Sequence, residues 1–479
     1  MGQTLIRPTL GDVLRDRQGD DWLIGPSSPD FWQRLETLTP VFAAYRESWP
    51  GPGAGVLIAE VDPLQFLATC LAAWSEGCVV VLANPRWGQQ ERQQVTDMVA
   101  PDWNAPLAPG LGTYPCQVFG AEPGQILIPT GGSSGQIKFA VHTWETLLTS
   151  VEGFYGHFGV ETVHAYCVLP LFHVSGLMQV LRVLASRGCL ALQPYSKFKA
   201  GERLALPCGG FLSLVPTQLQ DLLTSDSDTS WLQGFRAVLL GGAPAGRSLL
   251  DQAQAAQIPV ALTYGMTETA AQVATLLPKE FLAGYRSSGK PLPHAKITIL
   301  SDQGQPQSPG QQGRIAIQAG SLAQGYLQGP GNTLAAMVGS AHPTGVQPAA
   351  AFLETDDMGY LDDGGYLHIM GRSSTKIITG GENVFPEEVE AALLTIDGVR
   401  EACVVGLPCD RWGQQICALV VMPSPTLLKD LPDLLSPLVA PYKRPKQWVL
   451  VQAIPRTPQG KISRSQALAL AQQILGMAR

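Results

Sequence analysis

The chain has 479 residues, enough for two or three cores, and its 45% hydrophobic and 15% charged residues with 51 Gly and 38 Pro exclude a disordered or fibrous chain. A formal net charge of −7 without a long Lys/Arg block argues against a nucleic-acid surface. Nine cysteines without a CxxC pair and seven histidines without HExxH signal neither a disulfide framework nor a zinc site.

The opening MGQTLIRPTL lacks an apolar signal core, and Ile6 stands where a myristoylation pattern wants Ser or Thr, so a cytoplasmic location is expected. The most apolar stretch, Ala165 to Leu181, is broken by Pro170, His173 and Ser175, and no membrane span is expected. Apolar β-rich runs at Gly55 to Ala59, Cys78 to Ala83, Ile126 to Ile128, Ala237 to Leu240 and Val260 to Thr263 alternate with helix-like stretches, which predicts parallel α/β layers. From about Ala295 the pieces KITIL, GRIAIQ and GYLHIMGR are separated by Gly, Pro and Asp turns and read as a β-rich portion. Gly320 to Ala350 is rich in Gly, Ala and Pro and reads as a mobile surface loop. After Gly371 a helix PEEVEAALLTI, strands EACVVGL and ICALVVM, and a tail helix near Ser465 to Leu475 form a small α+β domain. The fold class expected is therefore α/β, with a large N-terminal domain of layered α/β subdomains over 1–371, its β-rich portion at about 295–371, and a C-terminal α+β domain over 372–479.

The segment Thr130-Gly-Gly-Ser-Ser-Gly-Gln-Ile-Lys138 follows the run Ile126-Leu-Ile128. Its glycines let backbone N–H groups approach an oligophosphate, Ser133 and Ser134 add donors, and Lys138 adds positive charge. An ordinary Gly/Ser turn fits the segment alone almost as well. It is not the loop of P-loop NTPases, because Gln136 and Ile137 separate Gly135 from Lys138. Gly51 to Gly55 is no dinucleotide fingerprint either, since the strand-like VLIAEV comes after its glycines.

With TGGSSGQIK, Tyr264-Gly-Met-Thr-Glu268, the run from Thr355-Asp-Asp357 through Gly371-Arg372, and PRTPQGK ending at Lys461, in that order, the chain resembles the adenylate-forming superfamily of acyl-CoA synthetases, luciferases and peptide-synthetase adenylation domains. The resemblance covers nearly the whole chain. It implies that ATP, Mg2+ and coenzyme A are bound, that a small carboxylic acid is the substrate, and that the C-terminal domain is mobile. A nucleotide site is implied at Thr130, Gly132, Ser133, Ser134, Gly135, Lys138, Gly242, Tyr264, Gly265, Met266, Thr267, Asp357 and Arg372. Glu268 would hold Mg2+, a hard cation suited to carboxylate oxygen, and Thr267 would reach the α-phosphate. Tyr264 would face adenine, and Asp357 would take the ribose hydroxyls. The usual Thr-Gly-Asp reads Thr355-Asp356-Asp357 here, which puts two carboxylates where the family has one. Lys461 resembles the catalytic lysine that bridges carboxylate and α-phosphate, and the interdomain hinge residue is Thr375.

The stretch Cys167-Val-Leu-Pro-Leu-Phe-His-Val-Ser-Gly-Leu177 and the motif TYGMTETAAQVATL are similar to one branch, the o-succinylbenzoyl-CoA synthetases of menaquinone and phylloquinone synthesis. That likeness implies an acid pocket at Phe172, His173, Gly176, Leu177, Arg182, Gly241 and Gln272. His173 reads as a pocket wall that positions the acid and joins Lys461, Thr267 and Glu268 among the catalytic residues the resemblance implies, while a hydrogen-bonded core histidine fits at least as well as a proton-transfer role. Arg182 lies in an otherwise apolar helix-like stretch, where a charge needs an anionic partner. A second substrate carboxylate and a protein carboxylate fit alike. An adenylating enzyme that loads a carrier protein, a luciferase, and a catalytically silent nucleotide-binding protein, for which Asp356 and Thr375 argue, remain alternatives. Homo-oligomerisation is left open.

Overall fold

A computed structural model describes residues 7–477 except 50–52, 108–110, 132–135, 208, 224–225, 329–332, 336–351, 380–381, 410–411, 424–427 and 458–461. The chain folds as two compact units, the first of residues 1–242, 258–297 and 317–353, the second of 243–257, 298–316 and 354–479. Among the described residues no helix is long and apolar enough to cross a membrane.

The first unit is built on two large sheets. One runs in the order Leu23–Ile24, Leu190–Leu192, Ala165–Cys167, Phe211–Leu214, Ala237–Leu240, Val260–Met266, Ala271–Thr275, Lys290–Pro291. Its first six strands are mutually parallel, and the last two return antiparallel. Parallel strands align their carboxyl ends, so the segments after Cys167, Leu240 and Met266 emerge along one edge, where ligands of open α/β sheets bind.

The other sheet runs Thr333–Ala335, Gly325–Gln328, Ile137–His142, Ile126–Gly131, Val79–Leu82, Ala54–Ile58, Thr113–Gln117. It is mixed, unlike the purely parallel layers the sequence suggests: Ala54–Ile58, Val79–Leu82 and Ile126–Gly131 are parallel, and the others pair antiparallel. Side-chain alternation divides this sheet between two cores. Val56, Ile58, Val80, Leu82, Ile126 and Ile128 face one, together with Ala165, Leu190, Phe211 and Leu239 of the first sheet, whereas Leu57, Val79, Val81 and Leu127 face the other. A sheet buried on both faces has uninterrupted apolar strands, which is why these runs were legible.

Two helices of the shared core matter for the site. Trp144–Phe158 begins at Thr143, whose hydroxyl accepts from the Thr146 N–H, and ends at Gly159, where φ of +61° favours glycine. Val174–Ala185 is buried around most of its circumference. The expected mobile loop needs correction: Gly325–Gln328 is a strand pairing with Ile137–His142, although 329–332 and 336–351 lie outside the described residues. A strand of four residues carries too few alternations to stand out from a Gly-rich composition.

KITIL, GRIAIQ and GYLHIMGR become strands of a four-stranded sheet ordered Ala295–Leu300, Gly313–Ala319, Phe352–Leu361, Leu367–Arg372. In the second unit a five-stranded sheet follows, with Gly413–Val421 at its centre and Glu401–Cys409 paired along it at the edge. Helix Pro386–Leu393 buries Val389 and Leu393 against Val404, Ile416 and Ala418, while Arg464–Ile474 buries Ala467 and Ala471 against Cys403, Val405 and Leu419. The alternating positions place the two helices on opposite faces of that sheet.

Candidate active site

Strand Val260–Met266 ends in a single 3-10 turn, Thr267–Thr269, that doubles the chain back into Ala271–Thr275. The reversal is tight. A Cβ on Gly265 would lie 1.9 Å from the Ala271 carbonyl oxygen, and Ala270 and Ala271 themselves hold φ of +53° and +77°. Left-handed backbone costs a non-glycine residue roughly 1–2 kcal/mol, so the turn must be held from outside. Four consecutive carbonyls provide the grip. Thr267 O accepts from His142 Nε2 at 2.8 Å, Glu268 O from the Ala323 N–H at 2.8 Å, Thr269 O from Ser321 Oγ at 3.0 Å and Ala270 O from Ser150 Oγ at 2.6 Å. Because a carbonyl only accepts, Nε2 of His142 carries the proton. Burial pushes the His142 pKa down to about 4, against the opposing pull of the Thr267 carbonyl, so the ring is neutral near pH 7.

The turn presents Glu268, which is 9% exposed. Its Oε1 accepts from the Tyr326 hydroxyl at 2.8 Å, and the Tyr326 ring lies beneath Lys138, whose Nζ is 5.6 Å from the ring centroid. Lys138 pairs across the hairpin with Thr130, so both ends of the glycine-rich loop are fixed, while Gly132, Ser133, Ser134 and Gly135 lie outside the described residues. Among the described residues no cluster of three or more His, Cys, Asp or Glu could hold a metal by itself. One carboxylate with an oxygen to spare fits Mg2+, which takes one or two carboxylates and completes its shell with water and substrate phosphates.

Beside the turn, Gln272 stands opposite Gly265 in register. Its Oε1 accepts from Arg182 Nη2 at 3.1 Å, and its Nε2 donates to Thr275 Oγ1 at 3.3 Å. Arg182 is 3% exposed, with its guanidinium carbon 4.2 Å from the Phe154 ring centroid. Among the described residues no carboxylate pairs with it, its Nε is buried without a partner, and burial draws its pKa down to about 10. Both ring nitrogens of His294 are buried without a partner among the described residues, and burial together with the Arg182 charge takes its pKa to about 4.

Phe172 and His173 follow strand Ala165–Cys167 with ring centroids 4.5 Å apart. Gly176 has a plain packing reason, since a Cβ there would stand 2.2 Å from the Pro170 carbonyl oxygen. Leu177 is a core residue. Gly241 and Gly242 follow strand Ala237–Leu240; a Cβ on Gly241 would meet Thr263 Oγ1 at 2.3 Å, and Gly242 has φ of +78°.

In the second unit, Asp357 pairs with Arg372 across antiparallel strands, Oδ1 to Nε at 3.2 Å. The neighbouring Asp356 turns the other way and accepts from the Ser374 backbone N–H at 3.1 Å and from its hydroxyl. Strand alternation thus gives the two carboxylates separate tasks. Thr375 Oγ1 donates to the Arg372 carbonyl at 3.1 Å. Lys461 lies outside the described residues, between Arg456, bridged to Ile462, and Arg464, whose guanidinium meets both oxygens of Glu390 and, at 2.8 Å, Glu387.

Family models described as AMP-binding enzyme and AMP-binding enzyme C-terminal domain match residues 117–327 and 388–461. A 2-succinylbenzoate–CoA ligase of Enterococcus faecalis is 34% identical over 339 residues, which span 70% of this chain and 67% of the relative. The chain belongs to the AMP-binding enzymes. Two solved structures of o-succinylbenzoate CoA synthetase from Bacillus subtilis, each 25% identical, are similar to this AMP-binding enzyme over nearly their whole length. The complex with the acyl-adenylate intermediate OSB-AMP superposes with a TM-score of 0.77, covering 96% of this chain and 98% of that one. The complex with ATP and magnesium ion gives 0.76, covering 97% and 99%. The α/β fold class expected from the sequence is the fold of these relatives.

Sequence reasoning missed His142, Ser150, Ser321 and Tyr326. The first three lie 52 to 125 positions from the carbonyls they hold, a long-range pairing that no local pattern announces. Tyr326 had a signal, the apolar pair following Gly325, but the surrounding Gly, Ala and Pro hid it.

Proposed function

We propose that this AMP-binding enzyme is an ATP-dependent acid–CoA ligase whose acid is o-succinylbenzoate. A carboxylate oxygen attacks the α-phosphorus of ATP, the bond to the bridging pyrophosphate oxygen breaks, and acyl-adenylate and pyrophosphate form. The sulfur of coenzyme A, its proton passing to solvent, then attacks the acyl carbon, and AMP leaves with the C–O electron pair. Positioning and electrostatics carry the first step.

In this reading Thr130 and Lys138, with the intervening glycines and serines, cradle the phosphates, and Thr267 reaches the α-phosphate. Magnesium, held by Glu268, neutralises phosphate charge when bound. Tyr264 to Met266 and Gly242 form the adenine side, Asp357 with Arg372 takes the ribose, and Lys461 bridges the reacting oxygens. The C-terminal domain turns between the steps, exchanging Lys461 for the CoA-facing segment at Gly380 and Gly381. Phe172, His173, Gly241 and Leu177 line the acid pocket.

The observation that carries the choice of acid is Arg182: a buried guanidinium without a carboxylate partner among the described residues, tied through Gln272 to the strand bearing Tyr264 to Met266. The distal carboxylate of a dicarboxylic acid supplies the missing partner, which offsets the desolvation of both charges. The test is acid-dependent pyrophosphate exchange with o-succinylbenzoate, benzoates, cinnamates and short and long fatty acids, followed by thioester analysis with CoA. Strongest exchange with o-succinylbenzoate and appearance of its CoA thioester are expected; no exchange with that acid overturns the assignment. Lys461→Ala is expected to lose exchange, and normal exchange in that variant removes Lys461 from the mechanism.

A further inference from the structure

We propose that Tyr326 is a positioning residue of the magnesium site, fixing the Glu268 carboxylate so that one oxygen is held by the phenol and the other is offered to the cation. The inference rests on the reading of Glu268 as the magnesium ligand. Tyr326 sits on strand Gly325–Gln328, in register with Ala140 of the strand that carries Lys138. Its hydroxyl donates to Glu268 Oε1 at 2.8 Å, and for Oε2 the described residues supply no partner. A carboxylate otherwise rotates freely about its last torsion, and a neutral donor on one oxygen sets its plane without cancelling its charge.

The same ring has a second task. Lys138 lies over its face while Glu268 accepts from its edge hydroxyl, so the aromatic plane spaces the cation from the anion. Among the described residues the two form no ion pair. A direct Lys138–Glu268 pair would neutralise the carboxylate that must attract Mg2+ and withdraw the lysine from the phosphates. Tyr326 satisfies both groups and leaves each charge available to MgATP.

Tyr326→Phe keeps the ring between Lys138 and Glu268 and removes only the hydrogen bond. ATP binding is measured calorimetrically in the full-length protein without acid, in EDTA and across a Mg2+ titration, so that the readout is independent of turnover. The expected result is an unchanged ATP affinity in EDTA and a roughly 10-fold rise in the Mg2+ concentration that half-maximally tightens ATP binding. Glu268→Gln, measured alongside, is expected to abolish the Mg2+ response. If Glu268→Gln abolishes it while Tyr326→Phe titrates as wild type, or weakens ATP equally with and without Mg2+, the role of Tyr326 is overturned and that of Glu268 stands. A Glu268→Gln protein with the wild-type Mg2+ response removes the reading of Glu268, and the proposal with it.

Discussion

Arg182 and the pair Asp356–Asp357 show how single side chains divide structural from chemical work. Arg182 keeps its charge in a buried setting with one amide and one aromatic face as company. Replacing it by Met, which preserves the stem and the helix, removes a charge-assisted hydrogen bond worth about 1.5–3 kcal/mol. The kcat/KM for o-succinylbenzoate is expected to fall ~10–100-fold, with less loss for a monocarboxylic acid; equal losses for both acids separate Arg182 from acid selection. Asp357→Asn is expected to raise the KM for ATP by about 10-fold or more, since it faces Arg372 and loses a charge-assisted acceptor. Asp356→Gly, which releases only the Ser374 turn, is expected to leave that KM within about twofold. Steady-state kinetics at varied ATP distinguish them.

At the level of elements, the site depends on a strained turn held by its neighbours. His142→Leu leaves the Thr267 carbonyl without its ring donor, a cost of about 1–3 kcal/mol where the group is buried. Thermal stability and pyrophosphate exchange should both drop, and His142→Gln, which can still donate, should recover part of each. In the second unit the helices Pro386–Leu393 and Arg464–Ile474 are joined through Arg464, Glu387 and Glu390, with the Val404 N–H also donating to Glu390 at 2.7 Å. Glu390 and Glu387 raise the Arg464 pKa against the pull of burial, so the cation persists. Removing one partner of a fully buried pair costs about 3–5 kcal/mol, and at this part-buried cluster Arg464→Met is expected to destabilise the unit by less than that in denaturant unfolding. Restoration of part of the loss by adding Glu390→Gln would identify the stranded charge as the cause.

For the whole molecule, acid sensitivity follows from histidines that burial holds neutral, His142 fully and His157, His164 and His294 in part. His142 and His294 have pKa values pushed from the ordinary 6.5 down to about 4, chiefly by burial, and His157 and His164 move the same way. Between those values the unfolded chain binds more protons than the folded one, so stability present above about pH 6.5 is lost as the pH falls toward 4. The slope is about 1.4 kcal/mol per pH unit for each fully shifted histidine. The melting temperature should decline over that window, and less steeply in His142→Gln; an unchanged slope would place the titrating group elsewhere. By itself the sequence determined the apolar strands, the helices Val174–Ala185, Pro386–Leu393 and Arg464–Ile474, the adenylation motifs and the isolated cation Arg182, because two-residue and helical periodicities, glycine clusters and a charge in an apolar run are local signals. Only the tertiary structure decided that the second sheet is mixed, that Asp356 and Asp357 face apart, and that His142, Ser150, Ser321 and Tyr326 converge on residues 267–270. Those facts depend on pairing between distant segments, whose free energy comes from burial and hydrogen bonds that form only after the chain has closed on itself.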